Sequence, residues 1–496
     1  MSKPVILDGE SLTLAQAELI ANGHPLQLAK SVKGKMRKSR ELVEKLAQGP
    51  TPVYGVNTGF GFLANTCIEP AELKKLQTNL IKSHAAGYGA SLSISETRLA
   101  MALRINVLIK GYTGVRYELC QALLDLINAE IYPIIPEYGS VGASGDLIPL
   151  AHLALPLLGL GNVQTVKGIT SAKSALKKAG IKPFELAEKE GLSLINGTQI
   201  MLAVGGLALT KAQKLLVQAD RIAALSFEGL LGHTGALYPE LHRLRGQKGQ
   251  IESANQLRHE LKGSSLYNAE TKHIHIQDPY SLRCIPQIHG PSKDSIAHVS
   301  KIIGIELNSL TDNPLVFTDA DLIISGGNFH GQALAMAFDI ASMAIAELGN
   351  VSERRLDYLL NPHMNGLTAF LSPHPGVNSG YMTLQYLSAS LVNENKLLAN
   401  PSCTDSIPGN ANIEDFVSMG MTSARKFKKI VENVKVILTA EMLAAAQAVD
   451  LRKPKKLGQG TAKTYRSIRK SIPMLLEDRI LQDDIQAGLQ VFEGFL

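Results

Sequence analysis

The stretch "GQALAMAFDIASMAIAELGNVSERRLDYLL", Gly331 to Leu360, decides the fold. Ala333, Met336, Ala337, Ile340, Met343 and Ala344 recur at i, i+3, i+4 and i+7, the spacing of one helical face. With so many Ala and Gly residues two helix axes can approach closely, so the stretch predicts a helix buried among other helices. A second long pattern, "DFVSMGMTSARKFKKIVENVKVILTAEMLAAAQAVD", runs from Asp415 to Asp450. Both exceed the usual globular helix of about 10–14 residues. Helices of that length belong to bundles, and often to oligomers that cover their apolar faces.

Outward from these helices the composition agrees. The 496 residues are 45% hydrophobic and 19% charged, an ordinary globular balance. Trp is absent while Ala and Leu are abundant, as in helical cores. Lys plus Arg exceed Asp plus Glu by only 50 to 44. The basic clusters (Lys177-Lys178, Arg425 to Lys429, Arg452 to Lys456) are short and lack interleaved aromatics, so they read as solvated faces rather than a nucleic-acid footprint. Cys67, Cys120, Cys284 and Cys403 lie far apart without CxxC spacing, which points to reduced thiols in a cytoplasmic protein. His273 and His275 form an HxH pair without a third ligand at recognisable spacing, so no metal is expected. The apolar run in "MSKPVILDGESLTL" is short for a signal peptide, and the most apolar helix is interrupted by Asp339 and Glu347; no membrane partner is expected.

The length prior of one domain per roughly 150 residues is soft. From Ser11 to Gln121 helical stretches alternate with Gly- and Asn-rich loops, of which "TPVYGVNTGFGFLANT" is the most loop-like. Val163 to Leu192 reads as a peripheral turn and helix, including Lys173 to Lys178. Beyond Thr198 long helices dominate. The expected fold is therefore all-α, a long central helix bundle over residues 201–496 with a smaller, mixed but mostly helical region over residues 1–200.

One short stretch resists a purely helical reading. "YGSVGASGDLIPLAHLAL", Tyr138 to Leu155, packs Gly139, Gly142 and Gly145 into seven residues before a run of Leu, Ile and Ala. It can be a helix start, with Ser144 as N-cap and Asp146 in the first turn. It can be an anion-binding turn, although it is neither GxGxxG nor GxxxxGK[ST]. Or it can be chemical. Without a Cβ, the Gly145 nitrogen can approach the Ala143 carbonyl carbon; closure and loss of two waters, one from the Ser144 side chain, gives a methylidene-imidazolone.

The stretch resembles the signature of the aromatic amino acid lyases and aminomutases, whose Ala-Ser-Gly becomes this group. "YGVNTGFG" (Tyr54 to Gly61), "LQTNLIKSHAAGYG" (Leu76 to Gly89), "EGLSLINGTQ" (Glu190 to Gln199), "QDPYSLRCIPQIHG" (Gln277 to Gly290), "SLTDNPL" (Ser309 to Leu315), "SGGNFHGQ" (Ser325 to Gln332) and "NENKLLANPSCTDSIPGNANIEDFVSMG" (Asn393 to Gly420) follow in family order. The resemblance implies a methylidene-imidazolone made from Ala143, Ser144 and Gly145, with no external cofactor.

It also implies roles. Tyr54 would be the base, and since a free tyrosine has a pKa of about 10 it must be lowered or sit in a positively poised site; the family places the group near the positive ends of several helices. Arg283 would clamp the substrate α-carboxylate, for which a planar guanidinium is suited. Tyr280 and Asn196 match residues around the group and the substrate, and Gln277 and Phe329 match pocket-lining positions. His84 and Glu414 match positions that histidine-specific members use to hold the imidazole, Glu414 being the more telling. Those members commonly read Gln-Glu-Asp-His where Ile413-Glu414-Asp415-Phe416 stands here. Ammonia elimination from L-histidine to trans-urocanate is thus expected, with a tyrosine or phenylalanine ammonia-lyase or a 2,3-aminomutase as the alternative. A homotetramer with active sites drawn from more than one subunit is implied as well.

Overall fold

The computed structural model describes residues 3–494. Among them are nineteen α-helices and nine strands of two to four residues. The strands pair only in small two- and three-stranded sheets, such as the parallel pair Val5–Leu7 and Leu26–Leu28. The fold is all-α, with the strands pinning loops.

Contacts divide the chain into two units. One comprises Met1–Leu207, Ser300–Asp339 and Pro401–Arg425, the other Ala208–Val299, Ile340–Asn400 and Lys426–Leu496. Where the sequence reading set one boundary after residue 200, the contacts set the first after Leu207 and return two later segments to the first unit.

In the first unit the helix Ile94–Leu108 is capped reciprocally by Ser93 and Glu96 and is buried continuously from Glu96 to Leu108. It carries no single apolar face because it has none to spare. The expected peripheral segment is a hairpin, Asn162–Thr165 against Gly168–Ser171, followed by the helix Ala172–Ala179. Ser171 caps that helix and left-handed Gly180 ends it.

In the second unit a buried polar knot links three long helices. Arg355 Nε donates to Glu441 Oε1 at 2.7 Å, and the Ser226 and Ser352 hydroxyls donate to the same carboxylate at 2.7 and 2.6 Å. Arg355 and Glu441 are fully buried, so removing either partner alone would cost about 3–5 kcal/mol.

The three longest helices are Gln199–Gly229, Gln332–Leu360 and Gly420–Arg452. The last begins five residues after the sequence pattern does: Met419 is left-handed at φ 54° and its N–H donates to Val141 O at 2.9 Å, so the chain turns before it coils. The first two are long and apolar enough to cross a membrane by composition, yet 72% of each apolar window is buried inside the structure. The Gln332–Leu360 helix corrects the sequence reading in one respect. Leu334, Ala335, Phe338, Ala341, Ile345 and Leu348 are buried, whereas Ala333, Met336 and Met343 of the expected stripe are exposed. The helix is apolar nearly all round in its first half, so periodicity alone does not choose the inward face.

Candidate active site

The glycine-rich stretch forms a tight turn. Gly139, Gly142, Ser144 and Gly145 all have positive φ, 137°, 88°, 52° and 79°. For Ser144 that is the sparsely populated left-handed region, a place where strain collects at functional sites. The Gly145 N–H makes only a long 3.4 Å bond to Gly142 O, leaving Ala143 and Ser144 at the apex. Backbone closes in from both sides. Gly197 N–H donates to Ser144 O at 3.2 Å and Asp146 N–H to Gly197 O at 2.7 Å. A Cβ at Gly145 would lie 2.1 Å from Gly197 O, and one at Gly142 would lie 2.2 Å from Ser418 Oγ. Both positions are sterically confined to glycine.

Ser144 does not cap the following helix. That helix runs Leu147–Ala154 with Asp146 at its N-cap position, and the Asp146 carboxylate serves a different helix. Its Oδ2 accepts from the N–H groups of Ile200 and Met201 at 3.0 and 2.8 Å, while Ser140 Oγ donates to Oδ1 at 2.8 Å. Burial still pushes its pKa up to about 6 against those bonds. Helices that begin at Leu147, Gln199, Gln332 and Gly420 start around this turn, where Gly145 bridges to Gly197 and Gly331 packs on Met201 and Ser418. Their N-terminal dipoles favour negative charge at the apex.

The turn opens on a cavity of about 570 Å³ lined by Tyr54, His84, Ser144, Asn196 and Glu414 together with Leu63, Leu76, Leu80, Leu147, Leu192 and Ile195. Five residues that the sequence singled out, spread over 360 positions, therefore meet at one place. Ser144 Oγ donates to Glu414 Oε1 at 3.3 Å. His84 Nδ1 lies 2.9 Å from Leu80 O, which can only accept, so Nδ1 donates there and a neutral ring presents Nε2 as an acceptor. Asn196 Nδ2 donates to Asn313 O at 2.8 Å, and its buried Oδ1 has no partner. The orphaned acceptor suits a bound molecule that brings its own N–H donor, because a closed Ala-Ser-Gly ring would carry none.

Tyr54 is half-buried, and its hydroxyl accepts from Gly61 N–H at 3.4 Å. Burial pushes its pKa above the ordinary value; the Gly61 bond opposes this and the charge of Glu414 adds to it. The sequence reading asks for the opposite direction. The described lining contains no Lys or Arg, so the positive charge that a tyrosinate needs has to come from beyond it.

Not every expected residue is in the cavity lining. Gln277, Tyr280 and Arg283 belong to the second unit. Tyr280 opens the short helix Tyr280–Arg283 and is 69% exposed, with the Arg283 guanidinium 5.0 Å over its ring and Arg283 Nε donating to Asp278 O. Phe329 is half-buried in the turn before the Gln332–Leu360 helix and does not line this cavity. The HxH histidines hydrogen-bond to backbone carbonyls, His273 to Leu231 and His275 to Met364.

Three residues escaped the sequence reading. Asn79 lies one helical turn before Ser83 on the Leu73–His84 helix and also lines the cavity, a placement that i, i+4 spacing could have signalled. Asn410 accepts from Phe62 N–H at 3.2 Å through Oδ1, tying the Tyr54 loop to the turn before Glu414. It starts three consecutive left-handed residues, Asn410, Ala411 and Asn412, which composition does not announce. Arg104 is one of two buried cations, with Arg98, in the Ile94–Leu108 helix and contacts the backbone behind Asn196.

Comparison with known proteins accords with this geometry. The family model described as aromatic amino acid lyase matches residues 12–470. A histidine ammonia-lyase of Anaeromyxobacter dehalogenans is 48% identical over 494 residues, 97% of each chain. Among solved structures, histidine ammonia-lyase from Trypanosoma cruzi superposes with a TM-score of 0.92 at 41% identity, covering 99% of this chain and 94% of that one. Tyrosine aminomutase from Streptomyces globisporus superposes at 0.94 with 37% identity, covering 99% and 97%. With its Ala-Ser-Gly turn, its all-α fold and a family match across nearly its whole length, this chain belongs to the aromatic amino acid lyases.

Proposed function

We propose that this chain eliminates ammonia from L-histidine to give trans-urocanate, as a cytoplasmic homotetramer whose Ala143-Ser144-Gly145 turn is the precursor of a methylidene-imidazolone. The observation that carries the substrate assignment is the pairing of Glu414 with the Ser144 apex at 3.3 Å in a cavity that also holds His84. A carboxylate and an imidazole acceptor suit a ring that donates N–H, where a phenyl ring would leave both unpaired. The curated relatives named histidine ammonia-lyase, at 45–48% identity over nearly full length, support the same substrate.

The Ala-Ser-Gly group, once formed, supplies an electrophile for the substrate amine and so a better leaving group. The remaining work falls to side chains. Tyr54 takes the β-proton, which needs its hydroxyl deprotonated against the burial that holds the proton on. Arg283, which lies outside the described lining, binds the α-carboxylate and provides the positive charge that this lining lacks. Asn196, in the cavity lining, offers Oδ1 as an unpartnered acceptor. Glu414 and His84 hold the ring, and the leucines around them exclude water.

The homotetramer is supported by the apolar surface that one chain leaves open on a long helix, with Met336 50% and Met343 47% exposed. The cytoplasmic assignment is supported by four cysteines that are not joined in disulfides. Incubating purified protein with L-histidine, L-tyrosine and L-phenylalanine, and following both the conjugated acid and any β-amino acid, tests the reading. Turnover of histidine to a conjugated acid is expected; turnover of tyrosine alone, or a β-amino acid product, would replace it.

A further inference from the structure

Arg104 is, with Arg355, among the largest fully buried side chains of the described residues, and no step above uses it. Burial draws its pKa down to about 10, which leaves it charged at neutral pH. The nearby carboxylate of Asp312 is already engaged at Oδ2 by Lys189 and Ser193. A cation in so dry a place needs strong acceptors, and Arg104 Nη1 gathers three: Asn196 O at 3.0 Å, Gln199 Oε1 at 2.6 Å and Thr311 O at 3.2 Å. Gln199 Nε2 in turn donates to Thr311 Oγ1 at 2.6 Å.

These contacts all bear on the segment that touches the Ala-Ser-Gly turn. A Cβ at Gly197 would lie 2.3 Å from Arg104 Nη1, so the guanidinium packs directly on that glycine. The other edge of Gly197 holds the turn, through its N–H to Ser144 O and its carbonyl to Asp146 N–H. Gly197 is thus clamped between Arg104 and the Ser144–Asp146 backbone.

Resting on the assignment of Ala143-Ser144-Gly145 as the precursor, we propose that Arg104 is a positioning residue for ring closure: it pins Asn196-Gly197 so that the turn stays bent enough for Gly145 N to reach the Ala143 carbonyl carbon. In that step the Gly145 N–Ala143 C bond forms. The former carbonyl oxygen leaves as one water, taking the Gly145 and Ser144 amide protons as Ala143 C becomes doubly bonded to Ser144 N; the Ser144 hydroxyl leaves as the second with the Ser144 Cα proton. No oxidant or reductant enters. A loosened Gly197 lets the turn relax toward extended backbone, and closure slows.

The test is the mass of the peptide spanning Gly139 to Asp146 in purified wild type, Arg104→Gln and Arg104→Lys, with circular dichroism as the folding control. The wild type should lack the mass of two waters in nearly every molecule. A folded Arg104→Gln should lose that deficit in most molecules, and Arg104→Lys, keeping the charge but reaching fewer acceptors, should show it in part. A full deficit in folded Arg104→Gln overturns the proposal. Should that variant fail to fold, Arg104→Lys decides: a partial deficit supports the proposal and a full one overturns it. A wild type without any deficit instead refutes the precursor assignment itself.

Discussion

Ser144 and Glu414 stand 270 positions apart in the chain, yet the serine hydroxyl donates to the Glu414 carboxylate at 3.3 Å. The contact sets the distance between the apex of the Ala-Ser-Gly turn and the group proposed to recognise the substrate ring. It also places a negative charge near Tyr54, whose pKa that charge raises.

Replacing the carboxylate by an amide separates these two effects. A charge-assisted hydrogen bond contributes about 1.5–3 kcal/mol, so Glu414→Gln should lower kcat/KM for histidine by roughly 10- to 100-fold. Its effect on pH dependence has the opposite sense. As the proposed base Tyr54 would act deprotonated, so activity should rise with pH toward its pKa; removing the negative charge of Glu414 lowers that pKa. The rising limb of the kcat/KM profile should move to lower pH in Glu414→Gln, and an unmoved or upward-shifted limb would argue against Tyr54 as the base. Tyr54→Phe should lose about 10²- to 10⁴-fold in kcat without disturbing the two-water mass deficit.

Asn410 holds the Tyr54 loop to the Glu414 turn through one bond to Phe62 N–H. A net hydrogen bond contributes about 1 kcal/mol, so Asn410→Ala should lower kcat/KM roughly fivefold. Limited proteolysis should find the Gly59 to Leu63 segment cut faster in the variant, with the thermal midpoint little changed. Equal cleavage rates would mean that the bond does not restrain the loop.

Two adjacent glycines in the Gln199–Gly229 helix should respond with opposite signs. A Cβ at Gly205 would lie 2.1 Å from the Phe338 ring, whereas one at Gly206 meets only Ile303, at 4.0 Å. Alanine in place of helical glycine gains up to about 1 kcal/mol, while overpacking costs about 1–3 kcal/mol. Gly206→Ala should raise the thermal midpoint and Gly205→Ala should lower it, as differential scanning calorimetry would read.

Much of this was legible in the sequence, for reasons that can be named. The long helices announced themselves by length and by small apolar residues, and the Ala-Ser-Gly turn by a glycine density that no helix start requires. Tyr54, His84, Ser144, Asn196 and Glu414 were each found through a local motif, and the fold brings them to one cavity. The inward face of the Gln332–Leu360 helix was not legible, because a segment apolar on all sides has no preferred stripe. Asn410 was hidden because its part depends on three successive left-handed residues, which composition does not encode. Arg104 left a faint signal, a cation within an apolar run, but its meaning lies in carbonyls that only the tertiary fold assembles. The direction of the Tyr54 shift likewise depends on what packs around it.

Ser144 of this chain is proposed to become part of the electrophile that carries ammonia elimination. The most direct measurement compares ammonia and conjugated acid released from L-histidine by the purified wild type and by Ser144→Ala. The wild type should release both products in equimolar amounts, and the folded variant should lose nearly all of that release. Release at an unchanged rate by Ser144→Ala would contradict that role.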